Sequence, residues 1–286
     1  MNIAYLNGEF LPLEEAHISP MDRGFLFGDG VYEVIPCYRG RLIAMDLHLA
    51  RLRNSLEGIS LPFSPTDASL TDILTTLCKK NDGDNQGIYL QITRGAAMKR
   101  QHAFPSNVVP TLFAYAFSIA PPSNGAPETA ACYTAVTRTD LRWGRCQIKS
   151  VALLGNVLHM MDAIHEGAEE VLLFNERGEL TEAAACNVFI VNKGVVITPE
   201  LDNQKLPGVT RHLLLDFMSR YTDWRVEVRP VGKEEVLDAE EIWLTSSTKE
   251  VAPVVKLDDR AIADGKPGPM WSAAQKLFEQ HRFDDS

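Results

Sequence analysis

The chain has 286 residues, 45% of them hydrophobic and 23% charged, enough apolar material for one large or two modest domains and too much for wholesale disorder. Lysine and arginine number 28 against 38 acidic residues, a formal net charge of −10, which argues against nucleic-acid backbones and anionic membranes as partners. An anionic substrate would need a local cationic pocket.

The opening MNIAYLNGEF lacks the basic and apolar regions of a signal peptide, and the most apolar stretch, Val108 to Ala120, is broken by Pro110 and too short for a membrane span. The cysteines at 37, 78, 132, 146 and 186 are odd in number and form no CxxC pair, so reduced packing thiols in a cytoplasmic protein are the simplest reading.

Along the chain, Ile3 to Phe10, Val31 to Tyr38 and Arg41 to Met45 read as short strands, with Tyr38-Arg39-Gly40-Arg41 as a hairpin turn. Asp46 starts a helix whose apolar face is Leu47, Leu49, Ala50, Leu52, Leu56 and Ile59. A second helix is predicted from Thr66 to about Lys80 on Leu70, Ile73, Leu74 and Leu77. Strand-like runs follow at Gly87 to Arg94 and Thr111 to Ile119, so the order is α+β.

The Pro/Gly/Ser-rich run from Ala120 to Glu128 reads as a linker. It predicts a small N-terminal domain over 1–119, a linker over 120–130 and a larger domain over 131–286. Beyond it, strands are expected at Ala131 to Thr137, Val171 to Phe174, Val188 to Val191 and Ile242 to Ser246. Helices are expected at Leu153 to Glu166, from Pro207-Gly208 through Tyr221, and at Pro269 to Gln280.

Gly24-Phe-Leu-Phe-Gly28-Asp29-Gly30 is not a nucleotide loop, because a strand rather than a helix follows it; a tight turn with positive φ at its glycines is expected. Lys149 lies in Cys146-Gln-Ile-Lys149-Ser150 between a strand and a helix, and its apolar flanks suggest a stem entering a dry site. Burial there would favour a neutral, nucleophilic amine, although an isolated lysine is ordinarily solvated. Glu182, followed by Ala183-Ala184-Ala185-Cys186, lets a planar group approach closely, or is a plain loop carboxylate.

Pro207-Gly208-Val209-Thr210-Arg211 has the form of a helix start, with backbone N–H groups and a hydroxyl suited to a phosphate. Thr245-Ser246-Ser247-Thr248 offers hydroxyls for a second edge of an anion, or ordinary turn chemistry. His48 and Arg51 share one helix face, solvated by default. In a loop, Arg100-Gln101-His102 could grip a carboxylate, or carry incidental charges. The other histidines make no spacing with cysteines or carboxylates that defines a metal site.

The order of these pieces carries more than any one of them. Asp22-Arg23-Gly24 leads through Phe27-Gly28-Asp29-Gly30-Val31-Tyr32-Glu33 to His48-Leu-Ala-Arg51-Leu52 and Thr93-Arg94-Gly95. After the linker come Arg145-Cys-Gln-Ile-Lys149-Ser150, Leu153-Leu154-Gly155, Thr181-Glu182, Asn187-Val188-Phe189, Gly208-Val209-Thr210-Arg211 and Thr245-Ser246-Ser247-Thr248. Over nearly the whole chain this resembles the fold type IV pyridoxal-phosphate enzymes, the class IV aminotransferases, and most closely the bacterial D-amino acid aminotransferases.

The resemblance implies an α+β fold of two domains, a small N-terminal α/β domain and a larger β-barrel-like domain with helices. It implies pyridoxal 5′-phosphate as cofactor, held as a Schiff base by Lys149, which would also move the substrate's Cα proton. Glu182 would pair with the pyridine nitrogen and Leu206 would pack on one ring face, with the small residues after Glu182 beside the other. Arg51, the Val209 and Thr210 N–H groups, Ser246 and Ser247 would hold the phosphate.

Arg100 and His102, contributed by the neighbouring subunit of a homodimer, would trap the α-carboxylate together with Tyr32. Transamination between a D-amino acid and a 2-oxo acid, of the D-alanine/D-glutamate type, is the reaction so implied. A branched-chain or broad L-aminotransferase and an aminodeoxychorismate lyase are the alternatives on the same fold. One departure is Ala183-Ala184-Ala185-Cys186, where the resembling enzymes carry glycine and serines that would hydrogen-bond near the cofactor. Met98 and Lys99 before Arg100 are a second, at the pocket mouth.

Overall fold

The Asn7-Gly8 dipeptide decides the start of the fold. Both residues take positive φ, 49° and 111°, so the run read as one strand folds back as two, β1 (Ile3–Leu6) and β2 (Glu9–Pro12), paired antiparallel. A computed structural model describes residues 2–284. Its chain packs as two units: residues up to Ala120 with Ile148–Leu153, and Pro121–Gln147 with Leu154–Asp284. The segment carrying Lys149 therefore belongs with the first unit, although the linker sequence places it in the second domain. Ile148 is the physical reason: its side chain is buried in the first unit's core.

In the first unit, β1 and β2 are followed by α1 (Arg23–Phe27), β3 (Gly30–Tyr38), β4 (Arg41–Leu42), α2 (Met45–Gly58), α3 (Asp67–Lys80), β5 (Asn85–Thr93) and β6 (Thr111–Ser118). The strands form one antiparallel sheet in the order β2-β1-β6-β5-β3-β4. Leu49, Leu52 and Leu56 of α2 and Leu70, Leu74 and Leu77 of α3 are buried with Val31, Ile35, Ile88, Leu90 and Ile92 of the sheet. Each such side chain contributes roughly 1.5–3 kcal/mol. Arg39 and Gly40, at φ 50° and 76°, make the expected hairpin turn into β4.

Two expectations are corrected here. α2 turns Ala50 outward and buries His48 and Arg51, so these two do not line a solvated face. The glycine-rich stretch contains a short helix, α1, N-capped by Asp22 and stopped by Gly28 at φ 65°. Gly24 and Gly30 do not need positive φ; space constrains them instead. A Cβ on Gly24 would lie 2.3 Å from Thr93 Cγ2, and one on Gly30 would lie 2.8 Å from the Ile92 carbonyl oxygen.

The second unit runs β7 (Tyr133–Thr139), α4 (Leu154–His165), β8 (Glu170–Phe174), β9 (Leu180–Ala183), β10 (Asn187–Asn192), β11 (Val195–Thr198) and α5 (Val209–Tyr221). It continues through β12 (Val226–Val228), α6 (Lys233–Leu237), β13 (Glu241–Ser246), β14 (Glu250–Leu257), β15 (Arg260–Ala261) and α7 (Pro269–His281). The sheet order is β12-β11-β10-β13-β14-β7-β8-β9, with β15 on β14 and β7 parallel to both of its neighbours.

Val188, Ile190, Ile242, Leu244, Ala252 and Val254 build the main core, while α5 and α7 meet through Phe217 and Phe278, rings 5.8 Å apart. The mixture of helices and curled half-barrel sheet is the α+β class expected. No helix among the described residues is long and apolar enough to cross a membrane.

Candidate active site

Backbone hydrogen bonds place Lys149 before its side chain does anything. Its carbonyl accepts the Tyr32 N–H at 3.0 Å, its own N–H donates to Ser55 Oγ at 3.1 Å, and the Val151 N–H donates to the Gly30 carbonyl at 3.0 Å. The lysine thus rides on an extended segment laid along the start of β3, anchored by buried Ile148. Its Nζ lies 4.1 Å from the centroid of the Tyr32 ring, a cation–π contact that aims the amine along one face of β3.

The two-residue alternation of β3 sends the next side chain, Glu33, to the other face. There Arg51 donates from Nε and Nη2 to the two carboxylate oxygens of Glu33, at 2.8 and 2.7 Å, and His48 Nδ1 lies 2.7 Å from Oε2. Burial pushes the Glu33 carboxyl up, but the charge and hydrogen bonds of Arg51, with the hydrogen bond from His48, outweigh it and hold it down at about 2. Burial lowers His48 more than Glu33 raises it. The imidazole is therefore neutral, and its Nδ1–H donates to the carboxylate. A buried charge so paired is tolerable; an unpaired one would not be.

The loop between β5 and β6 presents both halves of its cationic pair to one ring. The Arg100 guanidinium sits 5.0 Å from the Phe27 centroid, and the His102 ring lies 5.4 Å from the same phenyl. Both side chains are exposed.

The second unit builds its site around Glu182, on β9. The carboxylate is buried and accepts from Arg142, from the Leu206 N–H at 2.9 Å and from Asn187 Nδ2 at 3.3 Å. Arg142 is itself fixed by Asp140, at 3.0 and 2.7 Å, and by the Gln204 carbonyl at 3.1 Å, while the Thr181 hydroxyl donates to Asp140 at 2.7 Å. Burial raises the Glu182 carboxyl beyond what Arg142 takes back, so it stands above the usual carboxylate range. Burial also raises Asp140, but the hydrogen bonds and charge of Arg142 prevail and keep it low. A carboxyl poised in this way suits sharing a proton with a ring nitrogen.

Asn187 ties this carboxylate to the candidate anion site. Its Nδ2 also donates to the Leu206 carbonyl at 2.9 Å, and in the β10–β13 ladder it stands opposite Thr245. Gly208 lies so close that an added Cβ would be 2.0 Å from Asn187 Oδ1. α5 starts at the next residue, with Val209 and Thr210 buried and no side chain capping its N-terminus. α5 packs on β13, whose Thr245 Oγ is buried without a hydrogen-bond partner. Ser246 and Ser247 follow it, half-buried. An uncapped, buried helix N-terminus and an orphaned hydroxyl in one unit are a fitting receptor for a phosphate.

Of the small residues after Glu182, Ala183 and Ala184 are buried and Ala185 is exposed. Cys186 turns toward Glu170, and burial pushes its thiol up to about 12, which leaves it inert at neutral pH. Asp140 and Arg142 went unread in the sequence. Their one signal is an Asp-x-Arg spacing in a polar loop, which is too common to single out. Glu33 and Asn187 were seen only as parts of motifs.

A lysine aimed along an aromatic ring, a raised buried carboxyl and a phosphate-shaped helix end on an α+β scaffold are the furniture of a pyridoxal-phosphate enzyme. Residues 30–257 match the amino-transferase class IV family, and the chain belongs to it: it is a pyridoxal-phosphate-dependent aminotransferase. It is 37% identical to a D-alanine aminotransferase of Staphylococcus haemolyticus over 283 residues, 98% of each chain. It is 37% identical to one of Bacillus licheniformis over 273 residues, covering 96% of this chain and 94% of that one. Its fold is similar to that of the Escherichia coli branched-chain amino acid aminotransferase, with a TM-score of 0.90 at 21% identity over 100% of this chain and 96% of the other.

Proposed function

We propose that the chain transaminates between a D-amino acid and a 2-oxo acid, of the D-alanine/D-glutamate type. The observation that carries this reading is the loop pair Arg100 and His102, gathered on Phe27 as a carboxylate grip, in a chain 37% identical to enzymes described as D-alanine aminotransferases. Tyr32 completes the grip. Lys149 would hold the cofactor covalently and, as general base and acid, would take and return the substrate's Cα proton.

Glu182 would pair with the pyridine nitrogen and Leu206 would pack on one ring face. The N–H groups of Val209 and Thr210, with Ser246, Ser247 and Arg51, would hold the phosphate. When bound, the cofactor supplies the electron sink for the Cα carbanion. Mixing the cofactor-loaded enzyme with D-alanine or D-glutamate converts the cofactor's absorption to that of its pyridoxamine form, whereas L-valine and L-leucine leave it unchanged. The reverse preference would overturn the assignment in favour of a branched-chain enzyme.

The working form we propose is a cytoplasmic homodimer in which the Arg100–His102 loop serves the neighbouring subunit's site. All five cysteines are free thiols, as suits a reducing compartment. Along α4, Leu154, Val157, Leu158, Met161 and Ile164 are between 38% and 71% exposed, an apolar stripe that calls for cover. Subunit complementation tests the arrangement. With D-alanine too dilute for the Arg100→Ala enzyme to turn over, Lys149→Ala and Arg100→Ala chains refolded together regain about a quarter of wild-type activity, because half the dimers are mixed and one of their two sites is intact. A loop acting within its own chain would regain none.

A further inference from the structure

The two arginine motifs around Arg23 and Arg94 have no part in the roles proposed so far, yet both side chains are buried and fully engaged. We infer that Arg23, with Phe27 on the same short helix, is the positioning residue of the substrate-carboxylate loop. It fixes the backbone of residues 101–103 so that Arg100 and His102 are presented together. This rests on the reading that those two side chains bind the carboxylate.

The helix is itself tied to the strands that flank the loop. Asp22, its N-cap, accepts from the Gly24 N–H at 2.8 Å, from Thr93 Oγ at 3.0 Å and from Thr111 Oγ at 2.7 Å, joining the end of β5 and the start of β6. The Arg23 N–H donates to the Gly95 carbonyl at 2.9 Å. Gly95 is held against the returning chain, at φ 93° and with room for no Cβ, since one would lie 2.0 Å from the Val109 carbonyl oxygen. Both ends of the loop are thus anchored on or beside α1.

The guanidinium of Arg23 then does two things at once. Nε donates to Asp29 Oδ2 at 2.7 Å, while Nη1 donates to the Gln101 carbonyl at 2.6 Å and Nη2 to that of His102 at 3.2 Å. Arg94 shares the same carboxylate, at 2.8 and 3.0 Å, binds the Ile59 and Ser60 carbonyls, and lays its guanidinium 3.7 Å from the Phe104 ring centroid. Burial pushes Asp29 up, but the hydrogen bonds and charges of Arg94 and Arg23 override it and keep the carboxylate charged between them.

Arg23 is 3% exposed, while residues 101–104 above it are open to solvent. A buried fork therefore grips an exposed loop by its carbonyls. Ordering a loop residue costs about 1–2 kcal/mol; with the loop ordered beforehand, the substrate does not bear that cost on binding. Lysine in place of Arg23 keeps the charge but cannot reach Asp29 and two carbonyls together.

The test uses the cofactor-loaded enzyme, with D-alanine and 2-oxoglutarate as substrates. Arg23→Lys raises KM for both by about tenfold or more while kcat changes less than threefold and cofactor absorption is kept, and trypsin cuts faster after Lys99 or Arg100. In an Arg100→Ala background the same substitution adds less than about twofold, because the grip it positions is already gone. A fall in kcat at unchanged KM, or an undiminished effect in that background, would overturn the inference. Should Arg23→Lys not fold, Phe27→Leu spares every ion pair and is expected to raise KM about three- to tenfold; an unchanged KM there also overturns it. If instead Arg100→Ala itself leaves KM unaltered, the carboxylate reading fails, and the trypsin readout still reports on the clamp.

Discussion

Replacing Lys149 by alanine is expected to lower transamination by at least about 10³-fold, the scale of a lost general acid–base group, with covalent capture of the cofactor lost as well. The fold should survive. The segment is positioned by its backbone bonds to Gly30, Tyr32 and Ser55 and by the buried Ile148 side chain, none of which needs the amine. What disappears is the nitrogen held 4.1 Å from the Tyr32 ring. The measurement is steady-state transfer from D-alanine to 2-oxoglutarate, with the visible spectrum recorded alongside it. The variant should bind pyridoxal phosphate more weakly, through non-covalent contacts alone, and show free rather than lysine-linked cofactor absorption. Activity within tenfold of wild type would remove Lys149 from the chemistry.

How much of this was legible in the sequence depends on how far apart the cooperating residues lie. The helices α2, α3, α5 and α7 announce themselves by apolar spacing, because their burial is a local property of one face. Arg51 does not, since its partner Glu33 is 18 residues away on a strand, and a paired charge looks in sequence like a solvated one. Arg142 and Glu182 are separated by 40 residues, so the cation that tunes the carboxyl could not be read from either neighbourhood.

Short strands were the other blind spot. β9, β11 and β15 have two to four residues, too few for alternation to show, and they form because neighbours in the sheet supply their hydrogen bonds. Asn7-Gly8 is a two-residue hairpin signal that divides the Ile3 to Phe10 run into two strands. The candidate residues were easier to single out than their supports. Lysine, glutamate, helix start and hydroxyl run fall in motifs whose order carries the reading, whereas Asp140, Arg142 and Asn187, which hydrogen-bond around Glu182, lie in plain sequence.

Those supports make the second large effect. Glu182 has its carboxyl raised by burial and partly restrained by Arg142, so methionine at 142 removes the restraint and leaves an uncompensated acid in a dry site. Breaking a buried pair from one side costs about 3–5 kcal/mol, unless the carboxyl escapes by taking a proton. The sign follows directly. Without Arg142 the folded carboxyl is raised further, so at any given pH less of it is ionised to hold a proton on the ring nitrogen.

Arg142→Met should therefore move the acid limb of the kcat–pH profile to higher pH and recover activity as the pH rises. Glu182→Gln, an amide with no charge to offer at any pH, should lose about 10²–10³ in kcat without such recovery. Both variants should still bind cofactor, because the N-terminus of α5 and the hydroxyls after Leu244 are untouched. A profile for Arg142→Met superimposable on wild type would mean that this arginine braces Asp140 and the Gln204 loop and does nothing to the acid beside it.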